Sequence, residues 1–237
     1  MEIFMNIHGL QNLTLLDYPE YTAATIFLGS CNFRCPFCQN SSLVLAPDLE
    51  PVISEDEVFQ FLKKRKRVLD GVCITGGEPT LSKDLEPFLQ KIKHLGYRVK
   101  LHPNGTRPNV LKELVSQGLL DYVAMDIKSS REGYAAAAGI EGMNLDAVEE
   151  SVRFLLEEAP VDYEFRTTAV KGPHQRQDFV GIRDWIAGCR RYYLQNYRDS
   201  EQILVPGVYA SFSKGELEEF LAVVRETIPG AELRGVS

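Results

Sequence analysis

The sequence predicts an α/β fold: a partial, open (β/α)6 barrel with parallel strands inside and helices outside. Apolar runs rich in β-branched residues alternate with stretches of helical periodicity, the pattern of parallel strands joined by right-handed crossovers. Six such units are too few to close an eight-fold barrel, and a flat doubly wound sheet is the runner-up. No internal repeat, low-complexity tract or Pro/Gly-rich linker divides the 237 residues. One domain is therefore expected over residues 1–237, with a core at about 20–200 and a C-terminal helical extension at about 201–237.

Taken in order, strands are predicted at Thr22–Leu28, Gly71–Thr75, Arg98–Leu101, Tyr122–Asp126, Tyr163–Val170 and Arg191–Asn196, each a short β-branched or aromatic run. Helical spacing connects them: Glu55–Lys66, then Leu85, Phe88, Leu89, Ile92 and Leu95, then Val110, Leu111, Leu114 and Val115. Later come Leu145, Val148, Val152, Leu155 and Leu156, then Phe179, Ile182 and Ile186, and a last helix over Lys214–Thr227. Ser54, Ser82 and Ser213 stand where N-caps belong. The basic run Lys63–Arg67 follows a Ser54/Glu57 capping box and reads as a solvated helix end, where cations suit the macrodipole.

The chain is 44% hydrophobic and 25% charged, the balance of a globular protein, and its net charge of −7 offers no basic field for a phosphate backbone. Nucleic acid is not expected as a ligand. No run approaches the roughly 18–20 apolar residues that cross a bilayer, and the first 14 residues lack a charged stretch followed by an apolar one. A cytoplasmic location without membrane attachment is expected, and under reducing conditions clustered cysteines bind metal or do chemistry.

Three of the five cysteines, Cys31, Cys35 and Cys38, fall within GSCNFRCPFCQN, directly after the first predicted strand. A closed zinc site wants four ligands, usually in C-x2-C pairs, and the next cysteine, Cys73, lies in a predicted buried strand. Three thiolates on a short loop suit an iron–sulfur cube better, each taking one iron and leaving the fourth open for reaction. Other motifs end the following strands: GGEP (Gly76–Pro79), PNG (Pro103–Gly105), then Asp126 and Lys128. Ligands of parallel α/β folds collect at such carboxyl ends. Cys73 and Cys189 read as small core hydrophobes, Tyr192 and Tyr193 as core or partner-facing surface. His8, His94 and His174 are isolated; His174, after Lys171-Gly172-Pro173 at a strand end, could touch a cofactor.

C-x3-C-x-(aromatic)-C resembles the signature of the radical S-adenosylmethionine superfamily. The resemblance implies one [4Fe–4S] cluster held by Cys31, Cys35 and Cys38. Its fourth iron would be chelated by S-adenosylmethionine, whose reductive cleavage gives a 5′-deoxyadenosyl radical. Gly76, Gly77 and Glu78 resemble the motif that meets the methionine amino group, and Phe37 the aromatic near the adenine. GLQNLTLLDYP, CNFRCPFCQN, GGEPTL, LHPNG, DYVAMDIK and EFRTTAVK further resemble, in order and spacing, the anaerobic ribonucleoside-triphosphate reductase activating group, relatives of pyruvate formate-lyase activating enzyme. Gln39, which with Asn40 follows the third cysteine, fits the activases rather than the 7-carboxy-7-deazaguanine synthases, the alternative small-molecule class.

What this implies is an activase that takes an α-hydrogen from a glycine of a glycyl radical enzyme, with flavodoxin or ferredoxin as electron donor. By the same resemblance Asp126, Lys128 and Arg166 contact the methionine carboxylate or ribose, and Asn104 lies on the corresponding loop. Where relatives read Asp-Thr before that asparagine, this chain has His102-Pro103. The aspartate of the pyruvate formate-lyase activating enzyme helps bind a monovalent cation, and an imidazole is a poor ligand for so hard an ion. Altered cation dependence is therefore expected. A non-catalytic zinc module using the three cysteines is the remaining alternative.

Overall fold

The computed structural model describes residues 5–235; the first four residues of the N-terminal stretch considered above for targeting lie outside them. Eight strands form one sheet in chain order: β1 (Ile7–Thr14), β2 (Ala23–Leu28), β3 (Gly71–Gly76), β4 (Arg98–Leu101), β5 (Tyr122–Asp126), β6 (Asp162–Ala169), β7 (Tyr192–Asn196) and β8 (Ala231–Arg234). The helices are α1 (Ser41–Leu45), α2 (Glu55–Arg65), α3 (Leu85–His94), α4 (Pro108–Ser116), α5 (Tyr134–Ala138), α6 (Asp146–Glu157), α7 (Arg176–Trp185) and α8 (Lys214–Arg225).

The parallel α/β fold expected from the alternation is present, and the sheet is not closed. It has eight strands instead of six. Both additions lie at the ends of the strand order and lack the apolar run that signals a buried strand. β1 is antiparallel to β2, with register shifts between Ile7 and Gly9 and between Gln11 and Thr14, and most of its residues are not buried. β8 is four residues long and buries only Ala231.

Two compact units make up the chain. The first takes residues up to Asn32, Ser42–Val123 and Ala159–Asp162; the second takes Phe33–Ser41, Ala124–Glu158 and the chain from Tyr163 onward. In the first, β2 and β3 pair in parallel from Ala23↔Gly71 to Leu28↔Gly76, and β4 continues from Gly71↔Arg98 to Ile74↔Leu101. Ile26, Val72, Ile74, Val99 and Leu101 are fully buried, as are Leu62, Leu89 and Ile92 from the helices. Such near-continuous apolar strands belong to a sheet covered on both faces. In the second unit, Phe165↔Tyr192 to Ala169↔Asn196 pair β6 with β7, and Tyr192↔Ala231 begins the pairing of β7 with β8. There α7 and α8 pack through the stacked rings of Phe179 and Phe220, 4.4 Å apart.

Ser54 and Ser213 cap α2 and α8, each accepting from the backbone N–H three residues on. Ser82 does not cap α3: it closes a 3-10 turn over Pro79–Leu81, and Asp84 precedes the helix. The basic run is a helix end as expected, with Lys66 Nζ 4.2 Å from the centre of the Tyr97 ring. Tyr192 is core, and Tyr193 lies under the Arg234 guanidinium, 3.4 Å away.

Candidate active site

The cysteine loop, GGEP and PNG lie at or after the carboxyl ends of β2, β3 and β4, and in the first unit the loops after these strands are tied to one another. Gly76, the last residue of β3, has φ +113°, and a Cβ there would fall 2.3 Å from the Leu28 carbonyl oxygen. A Cβ on Gly77 would fall 1.9 Å from the carbonyl oxygen of Ser30. Only glycine fits either place. The gain is a continued ladder: Gly77 N–H donates to Leu28 O and Glu78 N–H to Ser30 O, both at 2.8 Å. The two glycines thus serve the close approach of their own chain beside Cys31, a structural need that the ligand-approach argument overlooks.

Glu78 is buried, 1% exposed. Its carboxylate accepts from Thr80 N–H at 3.0 Å, from the Thr80 hydroxyl, and from Asn104 N–H at 2.6 Å. Asn104 in turn donates to Asn32 Oδ1 at 2.8 Å and accepts from both the backbone and hydroxyl of Thr106. Asn32 completes the ring by donating to Thr106 Oγ1 at 2.8 Å. Cys31 is therefore held on its N-terminal side through Ser30 and on its C-terminal side through Asn32. Sequence reading singled out Glu78 and Asn104 but missed Asn32 and Thr106. Asn32 lies within the quoted cysteine motif and Thr106 directly follows PNG, so small polar residues beside ligand-loop residues were the available signal. His102 is buried beside them, its backbone N–H bonded to Ile74 O.

The second unit carries Cys35 and Cys38 in a turn closed by Cys38 N–H to Cys35 O at 2.9 Å. The segment after β7 is bonded to this turn: Leu204 N–H donates to Cys38 O at 3.1 Å and Val205 N–H to Pro36 O at 2.9 Å. The Gln39 amide reaches Arg198 O at 3.3 Å, so its side chain also serves this clamp. No periodicity or motif in residues 198–205 announced the role. Phe37 is buried with its ring 5.9 Å from that of His174.

Asp126 at the end of β5, Lys128 just beyond it and Arg166 within β6 form one ion cluster. Lys128 Nζ lies 2.8 Å from Asp126 Oδ2, and Arg166 Nε donates to Asp126 Oδ1. These side chains are 21%, 29% and 16% exposed for lysine, aspartate and arginine, so the pairing is shielded but not dry. Burial opposes ionisation of Asp126, yet the facing Arg166 and Lys128 outweigh it and hold the carboxyl well below the usual carboxylate range. Lys128 is likewise desolvated, but Asp126 and the nearby Cys35 thiol raise its pKa. Two cations thus flank the one carboxylate. The capping and solvated roles that single charges usually have do not apply to these residues.

None of the five cysteines is in a disulfide. Cys73 and Cys189 are core, and burial pushes the Cys189 thiol up to about 12. Cys35 is buried, whereas Cys31 and Cys38 are partly accessible. Among the described residues no three His, Cys, Asp or Glu side chains are placed to hold a single metal ion. Three reduced sulfur donors on one short loop, with a lysine near one of them, fit a thiolate-held iron–sulfur cluster.

The model of the Radical SAM superfamily matches residues 25–186, which takes in the cysteine loop, GGEP, PNG, Asp126, Lys128 and Arg166. The chain belongs to the radical SAM superfamily. As a radical SAM enzyme it uses a [4Fe–4S] cluster and S-adenosylmethionine. It is 30% identical over 198 residues to MJ1227 of Methanocaldococcus jannaschii, provisionally named a glycyl-radical enzyme activating enzyme, covering 82% of this chain and 81% of that one. It is 26% identical over 201 residues to a 7-carboxy-7-deazaguanine synthase of Koribacter versatilis, covering 77% and 80%. Among solved structures, Streptococcus suis SuiB bound to S-adenosylmethionine shares the radical SAM fold with a TM-score of 0.68 at 14% identity. That match covers 87% of this chain but about half, 48%, of SuiB.

Proposed function

We propose that this radical SAM enzyme is an activase that removes an α-hydrogen from a glycine of a partner glycyl radical enzyme, with anaerobic ribonucleoside-triphosphate reductase as the partner. The observation that carries the activase reading is the similarity to MJ1227 across four-fifths of both chains. The motif order from GLQNLTLLDYP to EFRTTAVK supports the particular partner. Flavodoxin or ferredoxin is the proposed electron donor.

Cys31, Cys35 and Cys38 hold one cluster in this reading. When bound, the cluster and S-adenosylmethionine supply one-electron cleavage of a sulfonium and a hydrogen-abstracting radical. The chain supplies position and charge. Glu78 spends its carboxylate on Thr80 and Asn104, which fixes the GGE turn that meets the cofactor's amino group in this reading. Lys128 and Arg166, which flank Asp126, receive the cofactor's carboxylate, and the planar fork of Arg166 gives it direction. Phe37, with its ring packed against His174, presents an apolar edge to the adenine.

The test is electron paramagnetic resonance after incubating the reduced, reconstituted protein with S-adenosylmethionine and the reductase. A glycyl doublet is expected, and its absence with every glycyl radical enzyme tried, while the cofactor is still cleaved, would refute the activase. The similarity to the 7-carboxy-7-deazaguanine synthase favours a second reading, in which the substrate is a small molecule. Substrate-dependent cofactor cleavage without any protein partner would support it.

A further inference from the structure

His174 is the one histidine that the second unit buries, 3% exposed, and both ring nitrogens are engaged. Nδ1 faces Val170 N–H at 3.1 Å and Nε2 faces Lys128 O at 2.7 Å. A backbone N–H can only donate and a carbonyl can only accept, so the proton sits on Nε2 and the ring is neutral. Burial also disfavours the imidazolium, a preference only partly offset by the hydrogen bond to Lys128 and the nearby Asp178. The ring lies between those of Phe37, 5.9 Å away, and Phe179, 6.0 Å away. One side chain therefore touches the backbone of Lys128, the aromatic of the cysteine loop and the core of α7.

Lys128 is held at several points, its backbone also meeting the Tyr134 hydroxyl. Its ammonium is bonded to Asp126 two residues back, while the next residues, Ser129 and Ser130, are drawn by their hydroxyls to Asp178, at 3.1 and 2.8 Å. The carbonyl of Lys128 sits between these anchors, and a short bond there sets the direction in which the side chain leaves the backbone.

We propose that His174 is a positioning residue for S-adenosylmethionine: its Nε2–H fixes the Lys128 backbone, and with it the Lys128–Asp126–Arg166 ion cluster, while its ring backs Phe37. This rests on the reading that Lys128 and Arg166 receive the cofactor's carboxylate. His174 itself touches no reacting atom.

Two amides separate this role from a purely structural one. In His174→Gln the amide nitrogen can reach the place of Nε2 and donate to Lys128 O. In His174→Asn the shorter side chain can accept from Val170 N–H but cannot reach Lys128. Affinity for S-adenosylmethionine is measured by calorimetry on the reconstituted protein without reductant, so that no turnover intervenes, alongside the melting temperature. H174Q is expected to bind within about threefold of the unsubstituted protein, and H174N at least about tenfold more weakly, about 1.4 kcal/mol. Unchanged binding by H174N overturns the proposal, as does a loss in H174Q as large as in H174N. Should H174N fail to fold, H174Q alone decides: folded but tenfold weaker, it defeats the proposal. Lys128→Ala tests the underlying reading separately. If K128A binds the cofactor normally, that reading fails, whereas a weakened K128A beside an unaffected H174N condemns only the role of His174.

Discussion

Around Cys31 the chain is held by backbone and neutral amides: Gly77 and Glu78 bond to Leu28 and Ser30, and Asn104, Asn32 and Thr106 close a small ring of hydrogen bonds. Around Asp126 it is held by charge, with Lys128 and Arg166 on one carboxylate. The first region works through fit, since a single added methyl meets a carbonyl oxygen. The second works through balance, since burial of each ion is offset by its opposite. A clamp of the first kind fixes a ligand-bearing loop chiefly by shape. The strength of one of the second kind depends on ionisation.

The difference can be broken most forcefully at Gly77. In Gly77→Ala the new Cβ meets Ser30 O at 1.9 Å, and the ladder beside Cys31 must open. A loss of about 3 kcal/mol or more is expected, as for severe overpacking, with iron per chain falling by more than half on reconstitution. Denaturant unfolding and iron analysis check this; a variant as stable and as rich in iron as the parent would show that the fit is not tight.

Asp126→Asn breaks the balance instead. It leaves two cations facing each other, and with side chains partly exposed the expected cost is about 1–3 kcal/mol, below that of a fully buried pair. The sign of its pH dependence follows from the depressed carboxyl. The folded pKa lies below the unfolded one, so the Asp126 contribution is complete above about pH 4 and is lost as pH falls through the folded value. Unfolding curves of the two proteins should differ by a constant amount between about pH 5 and 8 and converge in acid. A gap that persists at low pH would mean the carboxylate charge is not what holds the cluster.

Arg166→Lys sharpens the contrast, because it keeps the charge and discards the fork. Affinity for S-adenosylmethionine should drop about tenfold, equivalent to about 1.4 kcal/mol, with stability little changed. The smallest effect is expected for Asn32→Ala, which removes one exposed member of the amide ring and should cost about 0.5–1 kcal/mol in a thermal melt.

Much of the framework was legible in advance because apolar periodicity survives in any parallel α/β chain. Strands β4 and β5 match their predicted limits, and the other four predicted strands shift by a residue or so. β1 and β8 were not legible, since strands at the ends of a sheet need not be apolar on both faces. The cysteine loop and GGE were readable because their residue types are rare in combination. Asn32, Thr106 and the segment 198–205 were not, because a hydrogen bond to a backbone group asks little of composition.

The sequence by itself determined the chemistry: three thiols on a short loop, two glycines, and the charged residues that follow successive strands. Residue type and local spacing suffice for that, because strand ends can be placed from periodicity alone. Only the tertiary structure decided how those residues spend their bonds. Glu78 turns to Thr80 and Asn104, Asp126 takes both Lys128 and Arg166, and His174, 46 positions beyond Lys128, meets both its carbonyl and the Phe37 ring. Such partnerships depend on which loops the folded sheet brings within 3 Å, a distance that no local pattern encodes.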